Sequence, residues 1–163
     1  MERALELDPF NSYVTAFAAQ VHYLVNRSYV GAFEFAERSI ELNQANPLGW
    51  SLLGIAKCYL GDLQSGAQNT RFAVKIAGST PFRFRLAGQS CIANTISRQF
   101  EQAVRDGEAS HVLAPTYAPT LRYLAMLYLQ RGSEEKSLQI VEELQSLEPD
   151  FSYDRLKDPS YPS

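Results

Sequence analysis

The chain has 163 residues, of which 45% are hydrophobic and 20% are charged, and it carries a formal net charge of -3. This composition is typical of a soluble globular protein with one continuous core, and it argues against intrinsic disorder. No apolar run approaches the roughly 18 to 20 residues needed to cross a bilayer, and the charged first residues lack the apolar stretch of a secretory signal. We therefore predict a cytoplasmic protein that has no membrane partner.

The chain contains an internal repeat of about 34 residues. Small side chains recur at Ala32, Gly66, Ala103 and Ser137, at intervals of 34, 37 and 34 residues. A second series recurs at intervals of 34, 34 and 37 residues: Ala16, Trp50, Phe84 and Leu121. Two independent series with one period indicate a repeat protein.

Each period contains two apolar patterns with helical spacing. In the second period, the first pattern runs from Trp50 to Leu60 and the second from Ala67 to Val74, with Gly61 in the short turn between them. Apolar residues at this spacing predict amphipathic helices, and a short turn between two helices makes them antiparallel neighbours. Each unit is therefore predicted to be a helical hairpin.

Three glycines in the stretch LGIAKCYLGDLQSGA allow two interpretations. Gly61 follows the first helix, where a left-handed residue commonly ends a helix, and Gly132 has the same place in the last unit. Gly54 and Gly66 are predicted to face each other where the two helices cross most closely. The alternative, a phosphate-binding loop, needs a G-x-x-x-x-G-K-[ST] run or a G-x-G-x-x-G run after a strand, and neither is present.

A 34-residue helix-turn-helix unit with small residues at these places resembles the tetratricopeptide repeat (TPR). The resemblance is strongest in GWSLLGIAKCYLGDLQSGA and LRYLAMLYLQRGSEEKSL. It implies an all-α fold, a right-handed superhelix of antiparallel helical hairpins with about four repeats. The segment ERALELDP resembles the end of a preceding repeat, so the chain is expected to be a fragment of a longer array. The predicted segments are 1–12 for that end, 13–46, 47–80, 81–117 and 118–151 for the repeats, and 152–163 for a C-terminal tail.

Two further segments narrow the resemblance. TPFRFRLAGQSCIANTISRQFEQAV and LEPDFSYDRL are similar to TPR regions that follow catalytic or winged-helix domains in bacterial class III nucleotide cyclases and transcriptional activators. The resemblance implies a part of a larger signalling or transcription-regulatory protein. No cyclase or winged-helix domain is contained in these residues.

Candidate catalytic groups do not form a convincing site. The pair Glu142 and Glu143 is predicted to lie on a solvated helix face, and GQSC lies within a helical pattern and not between a strand and a helix. Cys58 and Cys91 are too few for a disulfide framework and are predicted to be buried, reduced thiols. His111 has no ligand spacing to a cysteine or to the other histidine. We predict no enzymatic activity, no metal and no cofactor.

The architecture favours binding instead. In a stacked array the first helices of successive hairpins line a concave inner wall, where ligands usually bind. Transferring the TPR groove positions to this chain gives the following candidate residues: Val14, Phe17, Val21, Leu48, Ser51, Ile55, Tyr59, Phe82, Arg85, Gln89, Arg122, Tyr123 and Met126. For about half of the apolar ones, packing against a neighbouring helix is the alternative interpretation.

The charges are distributed unevenly. Residues 63–100 contain five basic residues and no acidic residue, whereas acidic residues are concentrated in the last helices. The positive middle would attract an acidic peptide or the acidic face of a second copy. We therefore predict a protein- or peptide-binding module, with Arg85 and Arg122 facing acidic groups of the ligand, and no nucleic acid partner. The alternative is a self-association module that joins subunits of a larger protein into a homo-oligomer.

Overall fold

The computed structural model describes residues 2–149, and all regular structure in this range is α-helical. The helices are α1 (Glu2–Leu7), α2 (Ser12–Leu24), α3 (Tyr29–Leu42), α4 (Pro47–Tyr59), α5 (Leu63–Ile76), α6 (Arg83–Ile96), α7 (Phe100–Leu113), α8 (Ala118–Gln130) and α9 (Glu134–Leu147). The predicted all-α class is confirmed. The predicted tail 152–163 and most of LEPDFSYDRL lie outside the described residues.

The helices form two layers. Helices α2 and α3, α4 and α5, α6 and α7, and α8 and α9 form hairpins with extensive internal contacts. The first helices of the hairpins, α2, α4, α6 and α8, also contact one another in sequence and form the inner layer. Each second helix contacts the first helix of the next hairpin, so α3, α5 and α7 lie in the outer layer. Among the described helices, none has the length and apolar character required to cross a membrane.

Side-chain caps and left-handed residues set the ends of the helices. Asn46 caps α4 by accepting a hydrogen bond from the Leu48 amide, and Asp62 caps α5 by accepting one from the Ser65 amide. Gly61 and Gly132 end the first helices of their hairpins at φ +98° and +73°, as predicted. The other two hairpins have arginine at this place, Arg27 with φ +51° and Arg98 with φ +58°.

The crossing of α4 and α5 is formed by backbone against backbone. A Cβ atom on Gly54 would lie 2.6 Å from the carbonyl oxygen of Gly66 and 2.8 Å from the amide nitrogen of Thr70. A Cβ atom on Gly66 would lie 2.6 Å from the carbonyl oxygen of Gly54. Real Cβ atoms essentially never make contacts this short, so glycine is required on α4 and on α5. The predicted face-to-face placement of these glycines is confirmed.

The buried hydrophobic residues form three clusters that follow one another along the array. Near the N-terminus, small residues dominate, with Ala16, Ala19 and Ala36 packed against Leu52 and Leu53. Near the C-terminus, larger aliphatic side chains fill the space between the layers: Leu121, Leu124, Leu127, Ile140 and Leu144.

A candidate ligand-binding groove

An apolar cavity of about 220 Å³ lies where the N-terminal ends of α2, α4 and α6 meet. Its lining consists of Tyr13, Phe17, Pro47, Leu48, Thr80, Phe82, Arg85 and Leu86. Four of these, Phe17, Leu48, Phe82 and Arg85, were predicted as groove residues from the sequence. The structure brings these four together, although they come from three different hairpins and the turn before α6.

The cavity combines exposed rings with one charge. The side chains of Tyr13, Phe17 and Phe82 are 46%, 43% and 59% exposed, which is high for aromatic rings. Arg85 is partly buried at the same cavity, and within residues 2–149 its guanidinium makes no hydrogen bond or ion pair. The neighbouring Arg83 instead donates from Nη1 to the carbonyl oxygen of Gly78 at 2.8 Å. The cavity therefore offers an apolar space beside an available positive charge.

Tyr13, Pro47, Thr80 and Leu86 were not identified from the sequence. Tyr13 lies four residues before Phe17, so the two side chains share one face of α2, and this spacing was the available signal. Pro47 and Leu86 reach the cavity only because α4 and α6 are packed beside α2. No local pattern in the sequence reports that packing.

Three predicted groove residues are buried between the inner helices. Ser51 on α4 donates from Oγ to Oε1 of Gln89 on α6 at 2.5 Å, and both residues are buried. Ile55 is 1% exposed and packs with Cys58 and Ala93. These side chains pack between α4 and α6 beneath the surface of the inner layer. The surface available to a ligand therefore does not include them.

The other end of the inner wall is formed by tyrosines. The rings of Tyr29 and Tyr59 are stacked with centroids 4.4 Å apart, and the Tyr23 ring lies 5.7 Å from that of Tyr59. Burial, with the nearby Tyr59 hydroxyl as a second cause, raises the pKa of both Tyr23 and Tyr123, so these phenols stay neutral. Of the predicted residues here, Tyr59 and Met126 are exposed and Tyr123 is partly buried. Tyr23 and Tyr29 were not predicted.

Arg122 and Val21 have different surroundings from those of Arg85. Arg122 donates from Nη2 to both carboxylate oxygens of Glu148, at 2.7 and 2.8 Å. Its charge is thus already paired within the chain, so an acidic ligand would have to displace Glu148 to bind Arg122. Val21 is partly buried and lines, with Phe17, a shallow depression of about 330 Å³ on α2, next to the main cavity.

The two cysteines and His111 pack against neighbouring side chains. Cys58 and Cys91 are buried and free, as the sequence predicts. Burial, followed by the negative charge of Asp106, raises the pKa of Cys91 from 9.0 to about 12, so its nucleophilic thiolate is scarce at neutral pH. His111 Nε2 lies 2.7 Å from Glu143 Oε2, so Glu143 is partnered and not simply solvated. Within residues 2–149, no group of three or more metal-ligating side chains converges.

Solved structures with a similar fold are TPR proteins. The chain matches the structure of YrrB, described as a TPR protein with an unusual peptide-binding site, with a TM-score of 0.65, 19% identity, and coverage of 91% of this chain and 75% of that one. It matches TTC0263, a thermophilic TPR protein of Thermus thermophilus, with a TM-score of 0.68, 17% identity, and coverage of 85% and 75%. These matches confirm the TPR-type solenoid of helical hairpins.

A still higher similarity involves a part of a larger chain. The APC/C hetero-tetramer Cut9-Hcn1 matches with a TM-score of 0.80 and 18% identity, over 98% of this chain and 32% of the other. Neither a protein-family model nor a curated protein sequence matches this chain. The comparisons with solved structures therefore show the fold of this chain alone.

Proposed function

We propose that this chain is a non-catalytic module that binds an acidic segment of another protein in the cytoplasm. The observation that carries the proposal is the apolar cavity beside Arg85 on the inner layer of the solenoid. The fold supports it, because repeat arrays present extended concave surfaces to ligands. The similar structure of YrrB is described as that of a TPR protein with an unusual peptide-binding site. The resemblance in the third repeat supports a setting in a larger bacterial signalling or transcription-regulatory protein.

The cavity suits one large apolar side chain of the ligand. An aliphatic or aromatic residue that leaves water for an apolar cavity gains about 1.5 to 3 kcal/mol. The three exposed rings of Tyr13, Phe17 and Phe82 would lose contact with water at the same time. A hydrophobic anchor in a pocket is the usual source of affinity in such interfaces.

Arg85 suits a carboxylate close to that anchor. Because the guanidinium has no acidic partner in the described part of the chain, a ligand carboxylate would not need to displace one. A charge-assisted hydrogen bond at this partly buried position is stronger than a neutral one. The five basic residues of 63–100 would also attract an acidic segment to this part of the array.

A peptide experiment tests the proposal. We expect that peptides selected from a random displayed library on the immobilised chain will share an aromatic or aliphatic residue next to Asp or Glu. Fluorescence polarisation with the strongest such peptide should show a loss of affinity of roughly tenfold or more for Arg85→Glu, since one charge-assisted bond is removed and a repulsion added. Phe17→Ala should weaken binding as well.

The matched control is Arg83→Glu, which changes the net charge equally two residues away. Arg83 is exposed and does not line the cavity. Its variant loses long-range attraction and one exposed hydrogen bond to the Gly78 carbonyl, but no contact with the cavity, so it should bind the peptide with an affinity within about threefold of the parent chain. Equal losses for both variants, or none for Arg85→Glu with unchanged helical content, would reject the cavity as the binding site.

Self-association is a second candidate, and exposed apolar side chains favour it. At the N-terminal end, Leu7, Phe10 and Val25 are 70%, 75% and 73% exposed. Two such residues also lie on the last hairpin, Leu129 and Leu138. Apolar ends of a repeat array can pair between copies. If they do, light scattering after size-exclusion chromatography should give a mass that rises with protein concentration, whereas a constant monomer mass argues against this function.

A further inference from the structure

A second cleft, of about 490 Å³, lies on the side of the molecule formed by α5, α7 and the turn between α6 and α7. Its lining contains three arginines, one from each of these elements: Arg71, Arg98 and Arg105. The remaining lining residues are Gln99, Phe100, Glu101 and Gln102. None of them lines the apolar cavity, so the two sites are separate.

Neutral amides hold two of the three guanidinium groups in place. Arg71 donates from Nη1 to Oδ1 of Asn94 and to Oε1 of Gln99, both at 2.8 Å. Arg105 donates from Nε and Nη2 to Oε1 of Gln102, at 3.2 and 2.8 Å. Because these partners carry no charge, they orient the guanidinium groups without neutralising them.

The cleft keeps a net positive charge. In the described part of the chain, none of its three arginines forms an ion pair. Glu101 is the acidic residue in the lining, and Asp106 lies behind it, where it accepts hydrogen bonds from Asn94 and Gln102, so three positive charges stand against two negative ones. The cleft is shallow and open to solvent, so a bound ligand would keep part of its surface in water.

The backbone of Arg98 has a left-handed conformation. Arg98 has φ +58°, whereas Gly61 and Gly132 take the same place in the turns of two other hairpins. Glycine adopts this left-handed conformation without steric cost, and a residue with a Cβ does not. Arg27 shares this conformation without lining the cleft, so the strain by itself does not mark a site; at Arg98 it fixes a guanidinium at the cleft.

We propose that this cleft binds a small molecule that carries a di- or triphosphate group. The planar guanidinium matches phosphate oxygens in a bidentate manner, and each has five N–H donors. Even without the N–H groups that already bond Asn94, Gln99 and Gln102, the three guanidinium groups offer more donors than a single phosphate accepts, which favours a chain of phosphates. The polar lining, with Phe100 as the only aromatic residue among the cleft residues, gives little support for docking of an apolar protein surface.

Isothermal titration calorimetry with inorganic pyrophosphate and with ADP tests the proposal. The test variant is Arg98→Gly, which removes one guanidinium and also relieves the backbone strain. We expect its affinity for both probes to fall roughly tenfold or more, while its thermal unfolding midpoint stays equal or rises. Weaker binding together with undiminished stability cannot be explained by damage to the fold.

The matched control is Arg27→Gly. Arg27 has the same strained conformation at φ +51° in the first hairpin, and it does not line the cleft. This variant loses one positive charge and the same strain, so its affinity should stay within about twofold of the parent chain. Equal losses in both variants would overturn the proposal, because general charge would then explain them. The proposal would also be overturned if the parent chain bound neither pyrophosphate nor ADP, or if it bound a phosphothreonine peptide but neither of these two probes.

Discussion

The variant Gly54→Ala should unfold with a free energy lower by about 2 kcal/mol. Alanine gains about 1 kcal/mol over glycine inside a helix, but overpacking costs up to about 3 kcal/mol or more when the neighbours cannot move. The neighbours here are the Gly66 carbonyl and the Thr70 amide, which belong to the backbone of α5. The two helices would therefore have to separate along their whole contact. Urea unfolding followed by circular dichroism measures the change.

Gly107→Ala is the matched control for that variant. It makes the same chemical change inside helix α7, but the new Cβ would meet Leu124 Cδ2 at 2.7 Å and the Cys91 sulfur at 3.1 Å. The nearest atom is the far end of the buried Leu124 side chain, which must move, but a side-chain end moves at a lower cost than the backbone of a helix. The loss should therefore be less than about 1 kcal/mol, since the gain in helix propensity offsets it. Equal losses for the two variants would contradict the idea that backbone contact makes the α4 and α5 crossing special.

The glycine contact could be predicted because it depends on local information. The helical spacing of the apolar residues fixes where α4 ends and α5 begins, and a short turn at Gly61 makes the two helices antiparallel. Gly54 lies seven residues before Gly61 and Gly66 lies five residues after it, so the antiparallel arrangement brings the two glycines together. The all-α class and the hairpins follow from the same periodicity, because helix formation and short turns act over only a few residues.

The groove could be predicted only in part, because its residues come from different hairpins. Whether Ser51 faces a ligand or Gln89 depends on the rotation of α4 relative to α6, and those residues are 38 positions apart. Arg122 is likewise paired by Glu148, 26 positions away. The sequence periodicity identifies which residues share a helix face, but it carries no information on this rotation. Arg85 follows from the resemblance to TPR groove positions, which assigns it to the wall of α6.

A polar network joins α5, α6 and α7 close to the arginine cleft. Asn94, which is fully buried on α6, donates from Nδ2 to Asp106 Oδ2 at 2.9 Å and accepts at Oδ1 from Arg71 Nη1 at 2.8 Å. It also donates to the carbonyl oxygen of Ser90 at 2.9 Å. A single amide thus contacts one positive and one negative group on two other helices. No spacing in the sequence links these three helices through this residue.

Asn94→Leu should lower the free energy of unfolding by about 3 kcal/mol or more. Leucine has the same branched shape but bulkier methyl groups, so a packing cost adds to the loss of hydrogen bonds to Arg71 and Asp106, each worth about 1.5 to 3 kcal/mol. Asn69→Ala is the control, because the Nδ2 atom of Asn69 is buried without a hydrogen-bond partner within residues 2–149. That variant should be neutral or more stable in the same urea titration. If Asn94→Leu unfolds like the parent chain, the amide does not hold the three helices together, and the fixed position of Arg71 at the cleft loses its support.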